Sequence, residues 1–549
     1  MGKQSESYCW ATKSWLHEFY LSPRFPIPRN VSPCLILPNL GKSLLKLSKF
    51  AFSVRNIYLQ ILNGHIFSQT KSSNLCNAQY KIMFETYREP GIELDKHIKK
   101  SMDQEKLYFL AAFQNAFFKI ELDSISRIFK NLEKVISFVS ESSVIRDQEI
   151  INPTSAFRPT AAEFESYLKQ KCPDQISIIQ NALFVICLDT HTSTSNTGVF
   201  NHKNFLEYLN NTTSNRWFNH SLQFVYILKQ GSFGLIYEHS VCEGIVVVDV
   251  LEKIFQDNAD ELENSNFCCS QLYQDPKPLI DLSVKFNDKQ NFYSSSNYDH
   301  KKTLFKTKNL ANISKNLLKS LSISPDSFIQ IALNLTFLSI HSGKTLPNTY
   351  ESGGLRKFHN ARVENIRSSE ISLKKLYNFL EIVRQNASNE NLEKANFLLR
   401  ASIENQSKIM RSAVEGKGMD NILTVMRQMT ADESLELPKP NIFKHHHFQK
   451  IDHFELSTSQ VATKDILSNQ ANAPEINNNI LAYGPTTDLG YSCSYILEKN
   501  YFLYNLGKFF WFDLDGNELT GENHVRQELE EFSSCFEKIL NEMVAYLCG

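Results

Sequence analysis

The spacing of apolar positions changes several times along this chain. The first 40 residues are aromatic and broken by prolines. From about 41 to 145, apolar residues recur at three and four, as in "LGKSLLKLSKFAFSVRNIYLQIL" and "SISRIFKNLEKVISFVSE"; that is the period of a helix burying one face. Between 180 and 255 the period shifts. "NALFVICLD", "SLQFVYILK" and "FGLIYEHS" are β-branched or aromatic runs bounded by turn residues, and "KQGS" joins the last two as a hairpin. "GIVVVDVLEKIFQD" returns to helical spacing. Residues 270–310 are polar and rich in Pro, Asn and Asp, which reads as a connection. A helix is predicted at about 325–342, another at about 370–430 with a break near 387, and strands with a closing helix from 451 onward.

At 549 residues the chain is too long for one compact core, so two domains are expected. The expected divisions are an N-terminal segment 1–40, a first domain 41–280 and a second domain 281–549. Apolar residues at 42% and charged residues at 21% are globular proportions. A net charge of −1 gives no general attraction for nucleic acid, so an anionic ligand needs a local basic cluster. No run reaches the ~18–20 apolar residues of a membrane span, and the N-terminus lacks an apolar signal core. Eleven cysteines lie scattered without metal-ligand spacing, the adjacent Cys268 and Cys269 included. They read as reduced thiols of a cytoplasmic protein. The three histidines of "KHHHFQK" diverge and read as a solvated loop, so no metal site is expected.

Chemistry concentrates in "YEHSVCEG". His239 ends an apolar strand, Glu238 precedes it, Glu243 follows four residues later, and Gly244 relaxes the backbone. An acid beside an imidazole fixes its tautomer and leaves the other nitrogen to take a proton. A satisfied core histidine is the other reading of this spacing. In "SKNLLKSLSISPDSFIQ", Lys315 and Lys319 share a helical face, as phosphate ligands or as a solvated surface. Ser324, Pro325 and Asp326 then form a helix start: a cap, proline at the first position, acid in the first turn. "STS" at 457–459 by itself is a strand-end turn.

Together these motifs resemble the choline/carnitine O-acyltransferase family. "NRWFNHSLQF" leads in to "YEHSVCEG", and "SPDSFIQIALNLTF", "TYESGGLRKFHNARVENIRS", "GKGMDN", "STSQV" and "YGP" follow in the family's order, spanning about 15–549. The resemblance implies an α/β fold of two domains, each a mixed β-sheet with helices, related to chloramphenicol acetyltransferase, with a catalytic tunnel between them. It makes His239 the base that deprotonates a substrate hydroxyl, with Glu243 beside it and Ser459 donating to the oxyanion. It implies acetyl-CoA as co-substrate and no tightly bound cofactor, with Lys315 and Lys319 on the 3′-phosphate, Asp326 near the adenosine, and Ser352 and Gln460 on coenzyme or substrate. Tyr350, Tyr483 and Phe19 would supply aromatic faces to a trimethylammonium group, with Ser457 beside it; Leu481 would close the acyl pocket. Individually these aromatics read as core.

Carnitine enzymes of the family have Thr, Thr and Arg where this chain has Val363, Asn365 and Asn421; choline enzymes have Val, Asn and Asn. The resemblance therefore implies choline as acceptor, in a monomer, with carnitine acetylation or an inactive coenzyme A-binding member as alternatives. Departures are Ala361 for a glycine, Glu364 for an aspartate, Ile422 for a histidine, Ser492 for a glycine, and a longer polar loop between Gln460 and Tyr483. The family also carries a longer segment before "SWLHEFYL", so a truncated gene model or a less stable fold is expected.

Overall fold

The computed structural model describes residues 9–64, 75–141, 152–190, 202–261, 276–282, 292, 298, 300–432, 440–460, 480–513 and 517–548. The chain forms two compact units that interleave along the sequence. One gathers 19–300 and 463–483 and carries His239; we call it the histidine unit. The other gathers 1–18, 301–462 and 484–549 and carries the "STS" segment; we call it the serine unit. The boundaries thus lie at 18 and 300, where the sequence pattern suggested 40 and 280. The described part of 1–18 packs on the serine unit: the Cys9 N–H donates to the His359 carbonyl at 3.1 Å, the Thr12 hydroxyl to the Asn360 carbonyl at 2.9 Å.

The histidine unit holds β1 (Cys34–Leu37), β2 (Thr86–Glu89), β3 (Lys96–Lys99), β4 (Tyr108–Phe113), β5 (Ala116–Glu121), β6 (Val185–Asp189), β7 (Leu222–Ile227), β8 (Phe233–Tyr237), β9 (Pro278–Asp281) and β14 (Leu481–Ala482). Eight of them make a mixed sheet in the order β14-β1-β8-β7-β6-β4-β5-β9, and β2 pairs with β3. The "KQGS" hairpin forms as expected between β7 and β8. Four strands, β2 to β5, interrupt the stretch that reads as helical; β4 and β5 turn through Gln114 and Asn115, both at positive φ, as a two-residue hairpin requires. β9 likewise forms within the expected connection. Helix Leu44–Leu62, capped by the Ser43 hydroxyl, lays Phe50 edge-on against Phe224 and Phe233 at 4.8 Å. Burying one such ring contributes about 1.5–3 kcal/mol.

The serine unit holds β10 (Lys301–Leu310), β11 (Thr349–Gly354), β12 (Val363–Asn365), β13 (Leu456–Gln460), β15 (Tyr491–Leu497) and β16 (Phe502–Trp511) in one mixed sheet, order β10-β16-β15-β13-β11-β12. Helix Pro325–Ile340 is buried nearly all round, which explains an apolar run without an exposed stripe. The long helical stretch divides into Ile371–Gln385 and Asn389–Ser412, the second capped by Ser388. The closing helix Glu522–Cys548 buries Val525, Leu529, Phe532, Phe536, Leu540 and Met543 at helical spacing. Among the described residues no helix is long and apolar enough to cross a membrane, and the described cysteines are free thiols. Cys268 and Cys269 lie outside the described residues, as does most of the polar loop after Gln460.

Candidate active site

His239 sits where β8 gives way to helix Gly244–Glu261, its ring 23% exposed. Its backbone N–H donates to the Val31 carbonyl at 3.0 Å and the Tyr237 N–H to the Pro33 carbonyl at 3.1 Å, which pins the turn to β1. Tyr20 and Tyr237 flank the imidazole with ring centroids at 5.7 and 5.6 Å. Nε2 lies 3.9 Å from Glu243 Oε2, beyond hydrogen-bond length. Gly244 packs closely here: a Cβ would stand 3.1 Å from the Tyr237 hydroxyl and 3.5 Å from Leu481 Cδ2.

The two glutamates around His239 have separate partners. Glu238 is fully buried, accepting from Arg88 Nη1 at 2.7 Å, from the Ser240 N–H at 3.2 Å and from the Ser240 hydroxyl. Burial pushes its carboxyl up, but Arg88, His97 and the hydrogen bonds outweigh that and hold it below the usual range. Arg88 gave no sequence signal beyond being a charged residue inside a strand. The "NRWFNHSLQF" lead-in proves to be a buried polar seam. Arg216 pairs with Asp189 at 2.8 Å, the Trp217 indole N–H donates to the Tyr87 hydroxyl at 3.0 Å, and Asn219 donates to Glu165 at 2.9 Å. Two more candidates share this unit. Half-buried Tyr483 follows β14, whose Ala482 is opposite Cys34 of β1, itself opposite Ile236 of β8. Half-buried Phe19 belongs to the π-helical turn His17–Leu21.

In the serine unit three neighbouring strands bring most other candidates together. β13 runs parallel to β11 with Tyr350 opposite Ser457 and Glu351 opposite Thr458, and β12 sets Asn365 opposite Ser352 and Val363 opposite Gly354. Alternation along strands then sorts the side chains. Tyr350, Ser352, Ser457, Ser459, Val363 and Asn365 belong to one face, and Glu351, Thr458 and Glu364 to the other. Gln460 ends β13, exposed. The second face is tightly bonded. Gln330 donates to the Thr458 hydroxyl at 3.0 Å and to the Tyr495 hydroxyl at 2.9 Å; Gln406 donates to Glu351 at 2.7 Å; Thr458 donates to the Tyr350 carbonyl at 3.1 Å.

Asp326 belongs to this inner network. The Ser324 cap accepts from the Ser327 N–H as the sequence suggests, while Asp326 accepts from the Tyr495 hydroxyl at 2.6 Å and hydrogen-bonds Glu351. Burial, and then Asp326 itself, push Glu351 well above the usual carboxyl range; Asp326 is also raised by burial, despite its hydrogen bonds. Lys315 and Lys319 lie on helix Lys315–Ser320, both exposed, and among the described residues neither has an ion-pair partner.

At the outer edge of this sheet, Asn421 is buried and donates its side-chain amide to the Val363 carbonyl at 3.0 Å. The Asn421 N–H donates to Glu364 at 3.1 Å, so Glu364 serves as the cap of helix Asp420–Ala431, which has none of its own. Burial pushes this carboxyl up to about 7, against the pull of those helix amides. The added length of a glutamate here fits because Gly418 has no side chain: a Cβ would lie 2.3 Å from Glu364 Cγ. Asn365 donates to Asp420 at 2.6 Å, and Arg367 pairs with the same carboxylate at 2.9 Å.

The histidine at a strand mouth with its following acid, the "STS" strand and the exposed lysine pair are thus each placed in the fold. A sequence model of the choline/carnitine O-acyltransferase family matches residues 2–537. A choline O-acetyltransferase of Danio rerio is 27% identical over 536 residues, covering 91% of this chain and 79% of the relative. That of Homo sapiens is 26% identical, covering 92% and 68%. A carnitine O-acetyltransferase of Columba livia is 24% identical, covering 88% and 77%. A match across nearly the whole length decides the matter: the chain belongs to the choline/carnitine O-acyltransferase family and is an acyltransferase.

Proposed function

We propose that this chain transfers the acetyl group of acetyl-CoA to the hydroxyl of choline, giving acetylcholine and CoA. The observation that carries the choice of acceptor is Asn421, a neutral amide that already gives one N–H to the Val363 carbonyl. Carnitine adds a carboxylate to the trimethylammonium alcohol, and desolvating a carboxylate without a partner costs several kcal/mol, roughly 2–7 even for a neutral polar group. Apolar Val363 and neutral Asn421 offer it no counter-charge. The nearby Arg367 is already paired with Asp420. The trimethylammonium needs only aromatic faces, worth ~0.5–2 kcal/mol each, from Tyr350, Tyr483 and Phe19, with Ser457 and Asn365 beside it.

In this reading His239 takes the proton of the choline hydroxyl, with Glu243 favouring the imidazolium that forms. The alkoxide attacks the thioester carbonyl, and Ser459 donates to the oxyanion; one such donor is worth about 3 kcal/mol. The C–S bond then breaks and the imidazolium returns its proton to the thiolate. Lys315 and Lys319 hold a phosphate of the coenzyme, and Ser352 and Gln460 contact coenzyme or acceptor. Asp326, bonded inward, acts by holding β11. The free thiols of the described cysteines support a reducing, cytoplasmic setting, and the reading is of a monomer.

Thiol release from acetyl-CoA, measured with choline and with carnitine, tests this. Choline is expected to show at least tenfold higher kcat/KM, and Asn421→Arg to narrow that ratio. Preference of the unaltered protein for carnitine overturns the acceptor. Acetyl-CoA binding by calorimetry with no thiol release overturns the enzyme reading of this chain.

A further inference from the structure

Arg88 leaves β2 with each guanidinium nitrogen engaged. Nε donates to Asp95 Oδ2 at 2.8 Å, Nη1 to Glu238 Oε1 at 2.7 Å, and Nη2 to the Tyr20 carbonyl. Asp95 also accepts from Arg158 at 2.7 Å and Arg24 at 3.1 Å. Arg88, Asp95, Arg158 and Glu238 are each no more than 1% exposed. Two of Arg88's three contacts bear on the same ring. Glu238 directly precedes His239 in the chain, and Tyr20 packs its ring against the imidazole at 5.7 Å. One rigid, planar fork therefore fixes both the backbone before His239 and the aromatic wall beside it.

We propose that Arg88 is a positioning residue for His239, setting the direction in which the imidazole presents its basic nitrogen. The inference rests on the reading of His239 as the general base. A lysine keeps the charge but loses the fork and reaches one acceptor at a time, so the two supports of the ring no longer move together. Displacement by about 1 Å costs on the order of a hundredfold in rate when geometry is what catalysis uses.

The test measures kcat, KM for acetyl-CoA and thermal melting in Arg88→Lys, Glu238→Gln, the double variant and His239→Ala. Arg88→Lys is expected to lose at least tenfold in kcat per folded molecule, with KM for acetyl-CoA within twofold. Glu238→Gln keeps the shape of the acceptor and is expected to fold and to lose less. In the double variant the losses are expected to fall short of the product of the singles, as for groups acting through one contact. Folded Arg88→Lys with unaltered kcat overturns the inference, as does a loss that only follows the folded fraction. Should Arg88→Lys not fold, unaltered kcat in Glu238→Gln overturns it. His239→Ala separates the two ideas. Full activity there sinks the base itself, whereas an inactive His239→Ala beside a fully active Arg88→Lys sinks only the positioning role.

Discussion

Each unit holds a bonded pair of buried acids near its candidate chemistry, and the two pairs meet burial in opposite ways. In the histidine unit Asp95 and Glu238 meet arginines: Arg88 bridges both, and Arg158 adds to Asp95. Burial alone would raise both acids, yet the cations hold each below its usual range. In the serine unit Asp326 and Glu351 meet each other, with only the neutral Tyr495 and Gln406 alongside, and both are raised. Where a cation is present the network is a set of ions; where it is absent, two carboxyls must hold a proton between them. The bracing is similar. The response to pH is reversed.

The largest expected effect comes from removing the cation. Arg88→Met leaves Glu238 buried beside no other arginine and Asp95 short of one, and breaking a buried pair from one side costs about 3–5 kcal/mol. Urea unfolding at neutral pH checks this; a loss under ~1 kcal/mol would place these charges in effectively aqueous surroundings and end the contrast. The second effect is one of sign. Glu351 is raised when folded, so its contribution is fully present below the unfolded value of 4.5 and is lost as pH rises through the folded value. Glu238 is lowered, so its contribution is present above 4.5 and is lost as pH falls. Glu351→Gln keeps the Gln406 contact without the charge. It is expected to melt like the parent near pH 4 and above it at pH 8, by roughly 2–4 °C per kcal/mol gained, with each tenfold change in proton affinity worth about 1.4 kcal/mol. Identical melting at both pH values breaks the comparison. Third, Thr458→Val removes the hydroxyl between Gln330 and the Tyr350 carbonyl. About 1 kcal/mol of stability is expected to go, with pH dependence unchanged, because no titrating group is touched.

The local parts of this picture were legible in the sequence. "KQGS" declares its hairpin, "SPD" its cap, and the change of period at 180 marks the strands that lead to His239. The β4–β5 hairpin was hidden because "YFLAAF" and "AFFKIE" are buried on both faces and so lack alternation, and its turn uses Gln114 and Asn115 rather than glycine. Other strands lay beyond the reach of pattern, and β9, β10 and β1 among them lie in stretches punctuated by prolines or polar residues. The candidate residues came from motifs; their supports did not. Arg88 is 150 residues from Glu238 and Arg158 is 63 from Asp95, so no window of sequence joins them. The one available hint is physical: an arginine in an otherwise strand-like "ETYRE" needs a carboxylate from elsewhere if that strand is buried. The inward turn of Asp326 was equally unreadable, since a first-turn acid on a helix is ordinarily explained by the helix dipole alone.

Glu364 sharpens the comparison because its partners are intermediate. It accepts from the Asp420 and Asn421 amides at the start of a helix, while burial, and to a lesser degree the Asp420 carboxylate, push it up to about 7. Helix amides thus stand between the arginine that keeps Glu238 low and the carboxyl that drives Glu351 high. An anion at a helix start gains about 0.3–1 kcal/mol, which offsets part of the cost of ionising a buried acid. The consequence is a smaller effect in a definite window. As pH rises from 4.5 to 7 the folded state keeps a proton that the unfolded state has released, so the parent protein loses stability across that interval. Glu364→Gln still offers an oxygen to the Asn421 N–H and is expected to flatten that slope, ending above the parent at pH 8 by less than Glu351→Gln does. Melting curves of both variants at matched pH decide it. Equal gains would mean that the helix amides contribute nothing to holding this carboxylate, and the ordering of arginine, amide and carboxyl as partners would fail at its middle step.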